Sequence, residues 1–270
     1  MGARDPLGTR TAMIAHSSAV VAPGGVLQYV RSAPPLTLRQ VHAESPLTCA
    51  LCLIGSAAGP LADDDLRLDI EALPGSRAIV SATGASIAQG REGQPPSSMR
   101  TRLVIGEGAR IAGDTGALVV AGGAAVNVDV DITMASGGQV EWRELIVLGR
   151  SGEPSGQALL RWNVMIGGRP VLRQSLDVNG RGADSPMLLG GHRVIASMLI
   201  SAPDLSARTV VLHRDAVATR MSEHAVLLTV LADDVVDATL QLDELRTRVV
   251  MPHTEPVIRS TAMSGRSPSA

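Results

Sequence analysis

From Val126 to Thr133 apolar and polar side chains alternate without a break. Val126, Val128, Val130 and Ile132 share one parity, and Asn127, Asp129, Asp131 and Thr133 share the other. Successive side chains leave opposite faces only in an extended chain, so a period of two demands a strand with one dry and one wet face. Leu66, Leu68 and Ile70 repeat the pattern against Arg67, Asp69 and Glu71. The same reasoning predicts strands over residues 47–54, 77–83, 99–105, 117–120, 139–148, 158–166, 171–178, 192–200, 207–213 and 224–231. Turns punctuate them at Pro23-Gly24-Gly25, Leu73-Pro74-Gly75, Gly106-Glu107-Gly108, Gly122-Gly123, Gly137-Gly138, Gly167-Gly168, Asn179-Gly180 and Gly190-Gly191. So many short strands predict a mainly β chain, folded as a stack, sandwich or β-helix. One helix is expected, over residues 235–250, capped by Asp233 and Asp234 and ended by Met251-Pro252.

Residues 90–98 and 150–156 are surface loops too short to link domains, which predicts one domain over residues 1–270. Its ordered core is expected at about 12–254, between loose polar tails at 1–11 and 255–270. That core must be built almost without rings. Phe is absent, and Tyr29, Trp142 and Trp162 are the only aromatics, although 45% of the chain is apolar. All 24 basic residues are Arg. A chain without Lys has no Walker-A lysine, no pyridoxal Schiff base and no kinase β3 lysine. Three aromatics give no stacking platform for single-stranded nucleic acid, and a formal charge of −2 gives no attraction to nucleic acid or to an anionic membrane. No run approaches the roughly 20 apolar residues of a membrane span. The first ten residues lack the charged-then-apolar pattern of a signal peptide, so a cytoplasmic protein is expected.

The motifs that suggest chemistry have ordinary explanations. Cys49 and Cys52 form a C-x-x-C, but in a strand residues three apart face opposite ways, which predicts two structural thiols and no zinc. His213-Arg214-Asp215 imitates a kinase catalytic loop, yet Arg220 stands where the Asn belongs. Gly84-Ala85-Ser86 lacks the closing Gly of a nucleophile elbow, since Ala88 stands there, and the glycines of residues 106–113 lack dinucleotide-site spacing. The histidines are scattered. Asp63-Asp64-Asp65 is a candidate for weak, transient metal binding through oxygen, weighed against a solvated turn. No constellation of nucleophile, acid and base emerges, so a non-enzyme is expected.

Several segments, taken in order, resemble the family of the urease accessory protein UreD, also called UreH. Ala58-Gly59-Pro60-Leu61-Ala62-Asp63-Asp64-Asp65-Leu66 and the strand after it are similar to the family's G-G-L-x-G-G-D-x-L. Pro74-Gly75-Ser76-Arg77-Ala78 follows as a turn, and Thr83-Gly84-Ala85-Ser86 stands where the family has G-A-T-K. Leu148-Gly149-Arg150 with Gly152-Glu153 resembles L-G-R-x-x-x-G-E, after a strand containing Glu141 and Glu144. Residues 159–178 match paired strands around Gly167-Gly168-Arg169, and the late helix matches the family's terminal one. The resemblance spans about residues 17–260. Departures include Ala58, Ala62 and Asp63 in place of glycines, and Arg110-Ile111-Ala112-Gly113-Asp114 where the family has L-E-W-L-P.

The resemblance implies an elongated two-layer β-helical fold with a small C-terminal helical part. It implies a chaperone that docks on apo-urease and, with accessory protein F and the GTPase G, supports nickel insertion. Ni(II) would pass in transit, with no cofactor tightly bound. Gly149, Arg150 and Glu153 are the expected interface residues, on a loop where a long strand ends, weighed against a reading in which Gly149 only permits a turn with positive φ and Arg150 and Glu153 pair internally. Two other classes stay open at this point. One is a β-helical binding or structural module unrelated to urease, and the other is a hydrolase using Asp63, Asp64 and Asp65 as a metal site.

Overall fold

The computed structural model describes residues 11–179, 185 and 188–250; of the two expected tails, only Thr11 falls among the described residues. Among the described residues, seventeen strands precede one helix. They are β1 (Ile14–Ala22), β2 (Val26–Arg31), β3 (Leu36–Val41), β4 (Cys49–Gly55), β5 (Asp65–Ala72), β6 (Arg77–Ala82), β7 (Ser86–Ala88), β8 (Ser97–Ile105) and β9 (Arg110–Val120). β10 (Ala125–Met134), β11 (Gln139–Leu148), β12 (Gln157–Ile166), β13 (Arg169–Val178), β14 (Val194–Ser201), β15 (Val210–His213), β16 (Ala216–Ser222) and β17 (Ala225–Ala232) follow, then α1 (Val235–Val250).

The strands form two layers. A seven-stranded sheet runs β13-β12-β10-β8-β5-β1-β2, and a ten-stranded sheet runs β15-β16-β17-β14-β11-β9-β6-β4-β3, with β7 paired to β9. From β4 to β12 the chain crosses between the sheets at each turn, except that β6 and β7 both lie against β9, and neighbours within each sheet are parallel. The result is a β-solenoid of about four turns. Antiparallel pairs close it at both ends: β1–β2 and β3–β4 at the start, β12–β13 and β14–β17 at the finish. The expected two-layer β-helical class is thus observed.

Coils stack because their registers agree. Leu68, Thr101, Val130 and Trp162 fall in one row across β5, β8, β10 and β12, and Ile70, Leu103, Ile132 and Val164 fall two residues further on. Apart from the partly buried Thr101, these rows meet Leu51, Val80 and Trp142 of the other sheet in one apolar interior. The recurring Gly turns are one corner seen in successive coils. Gly75 N–H donates to the Glu107 carbonyl at 2.9 Å, and Gly137 N–H donates to the Glu107 carboxylate at 3.1 Å. At the opposite, wider corner the loops around Gly90, Gly122 and Gly149 lie over one another, with the ring of Pro154 against Gly122.

A second core forms outside the solenoid. Val194, Ala196, Met198 and Ile200 of β14 and Val226, Leu228 and Val230 of β17 bury their outward side chains under Ala238, Leu242, Leu245 and Val249 of α1. Asp234 Oδ1 accepts the Asp237 N–H at 2.9 Å and caps the helix, so its expected bounds hold.

Five strands were not expected. β1 points Ala15, Ser17 and Ala19 inward, too small to contrast with their neighbours. β2 is almost wholly exposed, so it shows no alternation. β3, β7 and β16 are short or similarly weak in contrast. β9 also starts seven residues before its expected bound at 117, because Gly113 and Gly116 sit inside it. A Cβ on Gly113, whose φ is +135°, would run into the Val80 carbonyl. Glycine there permits close strand approach rather than a turn.

Candidate functional site

The expected interface loop lies at the wide corner, between β11 and β12. Gly149 turns the chain at φ +78° and its N–H donates to the Val120 carbonyl at 2.7 Å. A Cβ there would lie 2.5 Å from the Arg193 guanidinium and 2.6 Å from the Pro154 carbonyl, so only glycine fits. Arg150 and Glu153 then pair within the loop, through Nε at 2.9 Å and a second contact through Nη2. The Glu153 carboxylate also accepts Gly122 N–H at 3.3 Å and Arg150 N–H at 3.4 Å. The Arg150 guanidinium, first, and these backbone donors hold the Glu153 carboxyl down at about 2. Gly149, Arg150 and Glu153 are therefore brought together, and the Arg150 side chain remains 54% exposed.

Arg193, which sequence reasoning missed, fastens this loop from across the corner. Its Nε donates to the Leu148 carbonyl at 3.1 Å, and its Nη2 donates to the carbonyls of Glu153 at 2.6 Å and Arg150 at 3.1 Å. Nothing local marks it. It follows a Gly190-Gly191 turn and stands 40 or more residues from everything it holds.

The three aspartates separate. Asp63 sits at φ +68° in the turn. Asp64 is buried and accepts Met13 N–H at 2.9 Å and Leu61 N–H at 2.8 Å, tying the first strand to the turn. Asp65 pairs with Arg67 at 2.9 Å, and Arg67 lowers its pKa, with Arg100 contributing. Among the described residues, no three His, Cys, Asp or Glu side chains converge as a metal set. Cys49 is buried, which pushes its thiol up, while Cys52 on the other face of β4 is partly exposed. Their divergence follows the strand argument.

Three further polar clusters were not legible. Glu144, at a bulge of β11, accepts the Trp162 indole N–H at 3.0 Å. The residue keeps some accessible surface, yet its carboxyl is crowded by protein on all sides; burial raises it to about 7 against the indole hydrogen bond. The second is a groove of about 680 Å³ beside the end of α1, lined by Arg110, Glu141, Arg208 and Arg246 with Ile200 and Val249. Arg246 grips Glu141 with two bonds, at 2.6 and 3.1 Å, and Arg110 reaches the same carboxylate at 3.5 Å. Near the other end of α1, His192 Nδ1 lies 2.8 Å from Asp233, and its Nε2 lies 3.7 Å from Asp215. The groove and the His192 pairs offer polar contact surface, whereas the Glu144–Trp162 bond lies inside the protein.

Among the described residues no helix is long and apolar enough to cross a membrane. The family model for the UreD urease accessory protein matches residues 14–261. Curated relatives bear the same description. A urease accessory protein UreD of Streptomyces avermitilis is 31% identical over 228 residues, covering 82% of this chain and 90% of the relative. One of Frankia alni is 32% identical over 233 residues, with 72% and 78% covered. A UreD 1 of Streptomyces griseus is 37% identical over 158 residues, with 56% and 61% covered.

Proposed function

This chain belongs to the UreD urease accessory protein family, and we propose from that premise that it is a non-catalytic chaperone of urease maturation. In this reading it works in the cytoplasm, docks on apo-urease and, with accessory protein F and the GTPase G, supports insertion of nickel as cargo. The observation that carries the reading to particular residues is the Arg193 clamp. It fixes the Gly149–Glu153 loop to the solenoid while leaving the Arg150 side chain half in solvent. A guanidinium held this way can exchange Glu153 for a partner carboxylate with little loss of freedom. Nickel in transit requires weak, exchangeable ligands. Asp63 and Asp65 suit that role better than Asp64, two of whose contacts are backbone N–H groups.

The test is urease produced in cells with and without this chain, read by nickel content per active site. Loss of nickel without the chain is expected. Arg150→Ala should keep the circular dichroism of the parent while weakening recovery of accessory protein F or apo-urease and lowering nickel loading. Unchanged recovery and loading would remove the loop from the interface.

A further inference from the structure

We propose that the uncovered half of the ten-stranded sheet's outer face docks an amphipathic helix with acidic flanks, supplied by a partner protein. The inference rests on the accessory-protein reading only for the expectation that a partner exists.

Apolar sheet faces bind a covering layer, and here the layer stops half way. α1 covers the outward side chains of β14 and β17. The same row of the sheet continues, by register, from Ile200 through Glu141 to Ala112, Ile79, Ala50 and Val41. Beyond Glu141 no described element lies over it: Ile79 is 47% exposed and Val41 44%. One row along, Cys52 and Ser81 face outward beside them. Ile79 stands on the middle strand between the small Ala112 and Ala50, with Val41 at the edge, so a helix backbone has room to approach on either side of the Ile79 side chain. β4, β6 and β9 span roughly 10 Å between their outer members, which is about the width of one helix.

Charge selects the occupant. Arg39, Arg77 and Arg110 border the bare face, and Arg77 and Arg110 are direct neighbours in register. Among the described residues neither Arg39 nor Arg77 has an ion-pair partner, and Arg110 must share Glu141 with Arg246. Arg208 adds a fourth guanidinium in the adjoining groove, bonded to the Arg248 carbonyl. This clustering stands out in a chain of formal charge −2. A second copy of the same face would set arginine against arginine. Residues 251–270 are a poor match as well, since Arg259 and Arg266 outnumber Glu255 there. A segment with carboxylates flanking an i, i+3, i+4 apolar stripe satisfies both the sheet and its border.

The experiment replaces Ile79 by a photo-reactive benzophenone amino acid in the full chain, expressed with the urease operon, and maps the cross-linked peptides by mass spectrometry. The expected cross-link is to an acidic amphipathic segment of another protein. Arg39→Glu with Arg77→Glu, and separately Ile79→Asp, should weaken binding of that purified partner about tenfold or more, with circular dichroism unchanged. Cross-links to a second copy, to residues 251–270, to a segment lacking that pattern, or to nothing overturn the proposal, as does binding indifferent to the arginine changes. The two readings fail separately. A cross-linked acidic helix in cells whose nickel loading does not need this chain would keep the docking face and sink the nickel role, whereas nickel loading that needs this chain without any cross-link would do the reverse.

Discussion

Gly149 and Arg193 make one device, the first by lacking a side chain and the second by extending a long one into the space left open. Gly149→Ala would place a Cβ in a left-handed conformation and against the guanidinium. A loss of about 1–3 kcal/mol in urea unfolding is expected. Arg193→Met keeps the aliphatic stem but abandons three carbonyls, for a loss of about 2–3 kcal/mol and earlier proteolysis within residues 149–156. Equal stability of both variants and the parent would mean that the clamp is incidental. The loop was legible at Gly149, Arg150 and Glu153, because a Gly and an ion pair at short separation can be read locally. Arg193 was not, since its partners are set by how β14 pairs with β11, and spacing carries no trace of that.

For single elements, parity was the dependable signal. β11 occupies its expected bounds, and β10 keeps its expected alternation because it has bulky residues inward and polar ones outward. Where inward residues are small, as in β1, or where glycine serves a close approach, as in β9, hydropathy loses contrast and the strand is missed or shortened. Parity also governs the two thiols. Cys49 faces the interior and Cys52 the solvent side of β4. In native protein Cys52 should react with a maleimide well before Cys49, whose thiol is both enclosed and raised in pKa. Labelling of both at one rate, or stoichiometric zinc lost on Cys49→Ser, would contradict this strand geometry.

The molecule as a whole is a parallel body with an antiparallel, helix-covered end. That topology was not written in the alternation, which says which side chains turn inward but not which strands pair; the family resemblance supplied the two-layer form. Because α1 covers the outer face of β14 and β17, a chain ending at residue 234 would leave Met198, Val226, Leu228 and Val230 in water. Size-exclusion chromatography should show that fragment aggregated. Global stability should also depend on pH through Glu144. Its folded pKa, about 7, lies above the ordinary value of 4.5, so between those limits the folded state holds more protons than the unfolded one. Stability is therefore greatest at the acid end of that window and falls as pH rises through about 7, by an amount on the order of 2–3 kcal/mol. Glu144→Gln should flatten this slope in urea titrations, and an unchanged slope would show that another group sets it. The same contact has an optical consequence. Trp142 and Trp162 are both enclosed, and the remaining aromatic, Tyr29, is a weak and exposed emitter. Tryptophan fluorescence thus comes from the interior alone, and one of its two sources is bonded to the titrating carboxyl. Emission should shift with a midpoint near pH 7, so the protein carries its own dye for the state of its core.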